Sequence, residues 1–167
     1  MSYFICTVFC CFLFSFFFNA TATTEIYTLS LHDALPICGG QDKSGVFDGY
    51  IKVTVVTEVR ERSIAGTVFS DGKPRFIQIK GINVDAEVGR HMLYTTNKDV
   101  PGIIGTLGGL LGSHGVNIAN FTLGRSAAGG EAIAIAYIDE ALDPAVVKEL
   151  EATGLFQQVK PLEFNVA

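Results

Sequence analysis

Between His91 and Phe164 the chain switches repeatedly between the two-residue period of a strand and the 3.6-residue period of a helix. That alternation limits the fold more than any composition figure. Met92-Leu93-Tyr94-Thr95-Thr96 reads as a strand. Asp99-Val100-Pro101-Gly102 ends it and opens a helix, with Pro near the first helical position. Ile103, Ile104, Leu107, Leu110 and Leu111 recur at i, i+1, i+4, i+7 and i+8, so one helical face is apolar. Gly112 or Gly115 stops that helix. Val116 to Leu123 is a second strand, residues 126–130 are a turn, and Ala132 to Ile138 alternates as a third strand. Asp143-Pro144 caps a second helix with Val146, Val147 and Leu150 on one side. Gly154 ends it, and Phe156 to Phe164 is a fourth strand.

The order βαββαβ is the ferredoxin-like pattern, in which two helices cover one face of an antiparallel four-stranded sheet. A β-rich block precedes it, from about Gly45 to Val88, so the class is α+β. Residues 50–57 and 63–69 are β-branched runs. Asp71-Gly72-Lys73-Pro74 is a turn before Arg75-Phe76-Ile77-Gln78-Ile79, and Ile82-Asn83-Val84-Asp85 is one more short strand. Strict alternation puts Phe76 and Gln78 on one face, with Arg75, Ile77 and Ile79 on the other. With no helix of its own, this block reads as a partial domain, the tail of a larger one whose sheet needs a cover. Exposed strand edges there predict a tendency to aggregate.

The front of the chain is of another kind. Residues 1–18 are almost unbroken apolar sequence, short for a bilayer span of about 20 residues. No Lys or Arg precedes Lys43, so the basic n-region of a secretory signal is missing. Residues 19–37 resemble a translated sequencing adaptor, which makes 1–38 an artefactual or disordered segment. All four cysteines, Cys6, Cys10, Cys11 and Cys38, lie within it. The remainder, without a disulfide to draw on, reads as cytoplasmic. That remainder holds all 12 basic and 15 of the 17 acidic side chains, a mild acidity with no basic stripe, which argues against nucleic acid as a partner. No membrane partner is expected. The expected division is 1–38, then a partial domain at 39–89, then the ferredoxin-like domain at 90–167.

Gly105, Gly108, Gly109 and Gly112 form a second stripe on the first helix. Each Gly is about 1 kcal/mol worse than Ala in a helix, so close approach of a ligand or partner subunit is one compensating gain. Tight packing on the domain's own sheet is the alternative. Asp99 at the helix start and Asn117 at the next strand lie at opposite ends of the helix within one molecule. If two copies pair side by side, the turn of one meets the strand start of the other. A helix N-terminus attracts a carboxylate and Asp99 attracts an ammonium, which suits an amino-acid zwitterion. On spacing alone, Asp99 capping the helix and Asn117 satisfying a local backbone group is the other reading. There is no Gly-x-Gly-x-x-Gly after a strand and no His–carboxylate–Arg set. His91 and His114 read as ordinary surface or loop histidines, and no metal site or cofactor is expected in the chain.

Asn97-Lys98-Asp99-Val100-Pro101-Gly102 followed by Gly115-Val116-Asn117-Ile118 resembles the ACT regulatory domain family of amino-acid sensors. With Gly66-Thr67-Val68-Phe69, Gly81-Ile82-Asn83 and Gly129-Gly130-Glu131-Ala132, the tandem is similar to the C-terminal end of the long-form D-3-phosphoglycerate dehydrogenase family. The resemblance implies a partial intervening domain at 39–89 and an ACT domain that pairs with its own copy as a homo-oligomer. It implies L-serine as effector at Asn97, Asp99, Val100, Asn117 and Ile118, with the glycine stripe at the interface. Asn97 stands where relatives carry His or Tyr. It also implies an anion site at Arg75, helped by Lys80 or Arg90, because Glu87 occupies a second basic position. NAD would belong to the parent enzyme, and this chain alone would be inactive. Two other parents fit the pattern: an iron–sulfur L-serine dehydratase and a stand-alone amino-acid-binding module.

Overall fold

A computed structural model describes residues 51–56 and 61–164. The expectations for 1–38, and for the first part of the 39–89 block, lie outside the described residues. Strands β1 (Ile51–Val56), β2 (Glu61–Val68), β3 (Pro74–Ile79) and β4 (Ile82–Glu87) form an antiparallel meander in the order β1-β2-β3-β4. Strand β5 (His91–Lys98), helix α1 (Ile103–Ser113), strands β6 (Ile118–Arg125) and β7 (Glu131–Ile138), helix α2 (Pro144–Ala152) and strand β8 (Phe156–Glu163) follow. Their sheet has the order β6-β7-β5-β8, antiparallel throughout, as βαββαβ requires.

Alternation along the central strands divides the core in two. Leu93, Ala136, Ile138, Phe156 and Val159 face Ile103, Leu107 and Leu111 of α1 and Val146 and Leu150 of α2. Met92, Tyr94, Ile133, Ile135 and Leu162 point to the opposite face. There they meet Ile64, Phe76, Ile79, Ile82, Val84 and Ala86 of the meander. The β-rich block, expected to lack a cover, is therefore covered by the second sheet. The described residues form three layers: helices, the β5–β8 sheet and the meander. Tyr94 lies fully buried at this junction, and burial pushes its hydroxyl pKa up.

Two expectations fail for local reasons. Phe76 and Ile79 both enter the core, against strict alternation, because the β3–β4 register shifts between Phe76 and Gln78. Ile104 was counted on the apolar face of α1 but is 54% exposed. Of the two glycines, Gly115 stops the helix, just past its last residue Ser113, and Gly112 lies within it. Gly115 takes φ 75°, and Val116 N–H donates to the Leu111 carbonyl, closing a Schellman turn.

Candidate functional site

The two helices begin differently. At α2 the Asp143 carboxylate accepts from Ala145 N–H at 2.7 Å, and Pro144 occupies the first turn. At α1 the N-cap is Gly102, in a left-handed conformation (φ 94°), with no side-chain cap. Asp99 does not cap this helix. The first-turn N–H groups of α1 lack intrahelical acceptors and carry the positive end of the helix dipole.

The residues of this first turn line a cleft of about 160 Å³, together with Asn97, Asp99, residues 100–102 and Leu123. Asn97, the last but one residue of β5, is 1% exposed. Its Nδ2 donates to the Lys98 carbonyl at 2.6 Å, which fixes the amide orientation, since a flip would set two oxygens together. Its Oδ1 is buried and has no hydrogen-bond partner among the described residues. An unmet buried acceptor is worth about 1–3 kcal/mol to any group that can donate to it.

Asp99 is already engaged. Its Oδ2 accepts from Arg125 Nη1 at 2.8 Å and from Gly129 N–H at 3.2 Å, while its own N–H donates to the Gly130 carbonyl at 2.9 Å. The Arg125 hydrogen bond, then the Gly129 N–H, holds the Asp99 carboxyl below its ordinary pKa. Arg125 and Leu123 carry no mark in the sequence, and Gly129 stands out only as part of a family motif. The strand end Gly124-Arg125 before a Gly-Gly turn was the available signal.

Asn117 and Ile118 lie at the far end of β6, as the sequence anticipated for a single molecule. Asn117 Nδ2 donates to Asp139 Oδ2 at 2.7 Å, and Ile118 packs on the helix-side core. The glycine stripe does not pack on the domain's own sheet: among the described residues, a Cβ at Gly105, Gly108, Gly109 or Gly112 meets nothing within 4 Å. The stripe runs from the cleft beside the exposed side chains of Val100, Ile104 and Leu123. His114 has a partner that the sequence did not suggest, Glu149 Oε2 at 2.8 Å, which ties α1 to α2.

The three anion-site candidates each have partners of their own. Arg75 Nη1 lies 3.2 Å from Asp85 Oδ1, its Nη2 lies 3.6 Å from Asp71 and 4.0 Å from Glu87, and its guanidinium stacks over Phe69. Glu87 also takes Lys73 at 2.6 Å. An anion at Arg75 would have to displace carboxylates. Lys80 donates to Gln158 Oε1 at 3.3 Å, and exposed Arg90 faces Glu163 at 3.9 Å. Among the described residues there is no cluster of three or more metal-ligating side chains, and no helix is long and apolar enough to cross a membrane.

Residues 39–80 match the D-3-phosphoglycerate dehydrogenase intervening domain, and residues 91–154 match the ACT domain. The chain is 34% identical over 104 residues to the D-3-phosphoglycerate dehydrogenase of Bacillus subtilis, covering 62% of this chain and 20% of that protein. It is 32% identical over 104 residues to the protein of that name from Synechocystis, covering 62% and 19%. A third relative, from Archaeoglobus fulgidus, is 30% identical over 106 residues, again covering 62% and 20%. The chain thus spans about a fifth of the length of the curated relatives it matches.

Proposed function

For a chain that carries the end of a D-3-phosphoglycerate dehydrogenase intervening domain followed by an ACT domain, we propose a regulatory role: the cleft at the start of α1 binds an amino-acid effector, L-serine. The observation that carries this reading is the buried, unmatched Oδ1 of Asn97 beside an uncapped helix N-terminus. The helix end offers N–H donors and positive potential to a carboxylate. Asn97 Oδ1 offers an acceptor to an ammonium or a hydroxyl. Together they complement a zwitterion without a metal or a cofactor. Asp99 plays a supporting part, because Arg125 holds its charge; the ammonium goes to Asn97.

Two copies pair along the β6 edge and the α1 face in this reading. The open glycine stripe lets two helices approach closely, and pairing buries Val100, Ile104 and Leu123. It also brings Asn117 and Ile118 of one copy toward the cleft of the other. The effector then bridges two subunits and biases their arrangement, which is how a small ligand reaches a distant active site. NAD and the oxidation of 3-phosphoglycerate belong, in this proposal, to parts of the relatives that this chain does not span.

The test is titration calorimetry with L-serine on the whole chain, with the dimer established by sedimentation. Residues 90–167 alone are unsuitable, because removing the meander uncovers Met92, Tyr94, Ile133 and Ile135. Binding at millimolar serine that is lost in Asn97→Leu supports the reading. A folded dimer that gives no heat with millimolar serine sinks it.

A further inference from the structure

We propose that strand β6 couples the cleft to the meander, so that breaking the Asp99–Arg125 ion pair loosens β4. The alternation of β6 supplies the geometry. Leu123 lines the cleft and Arg125 holds Asp99 at 2.8 Å. Their neighbours on the opposite pleat face, Thr122 and Gly124, meet β4. Thr122 Oγ1 donates to the Asp85 carbonyl at 2.7 Å. Gly124 leaves no room for a side chain: a Cβ there would strike the Asn83 carbonyl oxygen and come within 2.8 Å of Val84 Cγ1.

The nearest group facing Gly124 is a main-chain carbonyl, with the Val84 and Ile82 side chains beside it, so rotamer changes alone open little room between β6 and β4. Close-packed layers of this kind pass a displacement on rather than absorb it in rotamers. Beyond the crossing, the Asp85 carboxylate reaches Arg75 at 3.2 Å, and Glu87 reaches Lys73 at 2.6 Å. Two residues of β6 therefore serve the cleft, and the two interleaved with them grip the strand that carries this charge cluster. Coupling of this sort is reciprocal. Whatever draws Arg125 from Asp99 loosens β4, and whatever loosens β4 weakens the hold on Asp99. The coupling goes beyond amino-acid binding and stands or falls without it.

The experiment is hydrogen exchange by mass spectrometry on the whole chain without ligand. Asp99→Asn keeps the size of the side chain and removes the charge that holds Arg125. Exchange at residues 82–87 should quicken about threefold or more, together with the 126–131 turn, since exchange reads the local opening equilibrium. Acceleration confined to the turn, or none anywhere, overturns the proposal. Gly124→Ala threatens the fold itself, so Thr122→Val carries the reciprocal arm. It deletes the hydroxyl that donates to Asp85 and should speed exchange at Gly129–Glu131 by a similar factor. Wild-type rates there refute the link. Because neither arm contains serine, a failure of effector binding and a failure of this coupling are separate results.

Discussion

The two helices of this domain pack on the same face of the same sheet, yet their first turns are opposites. The start of α2 is finished by its own sequence: Asp143 caps it and Pro144 presets it. The start of α1 is left open, with a left-handed Gly102, no capping side chain, and a buried Asn97 oxygen unmatched beside it. A structural helix end satisfies its backbone groups, and a binding end keeps them free. Local consistency holds at α2 and lapses at α1, where a ligand would supply what is missing.

The largest expected effect falls at the open end. Gly102→Val forces a β-branched residue to φ 94° and should destabilise the chain by about 1–3 kcal/mol, read by denaturant unfolding. A loss well under 1 kcal/mol would mean that the turn readily adopts another conformation. Next comes the closed end. Asp143→Ala removes the cap and should lower stability by about 1 kcal/mol, while serine affinity stays as in the parent chain. A change in affinity would show that the two ends are not independent.

Asn97→Leu should separate stability from binding. It removes an unmatched buried oxygen, which favours the ligand-free protein, and also the Nδ2 bond to the Lys98 carbonyl, which costs about 1 kcal/mol, so stability should change by no more than about 1 kcal/mol while serine binding is lost. A destabilisation well beyond that would place a partner on Oδ1 and dissolve the contrast between the ends.

The smallest effect concerns pH. Arg125 and Gly129 N–H depress the Asp99 pKa, so the folded state binds the Asp99 proton less readily than the unfolded chain. The stabilisation is therefore fully present above the ordinary carboxylate value of 3.8 and fades as pH falls through the lower folded value. In Arg125→Gln the Asp99 carboxyl should titrate closer to 3.8, followed by carbon-13 NMR of the side chain. An unchanged titration would assign the depression to Gly129 alone.

Much of this was legible before any coordinates. The βαββαβ order, the Asp143-Pro144 cap and the apolar stripe of Ile103, Leu107 and Leu111 follow from period and capping, which act within a few residues. Asn97 and Asp99 were picked out by motif and do line the cleft. Other features were hidden because they depend on where distant segments meet. Asp99 was read as free for an ammonium, but Arg125, 26 residues away, holds it. Ile104 was counted as core because helical spacing ignores where the neighbouring sheet ends. Phe76 and Ile79 share a face because of one register shift, which periodicity cannot foresee.

The sequence by itself determined the strands, the helices, their order and the place of the open helix end, all set by local chemistry along the backbone. Tertiary structure alone decided what covers the second face of the β5–β8 sheet, what occupies Asp99 and Arg75, and which face of α1 is left open beside its glycines. The physical reason is range. Capping and periodicity are short-range and can be read along the chain. Burial and charge pairing depend on contacts between residues far apart in sequence, and only the assembled layers bring those together.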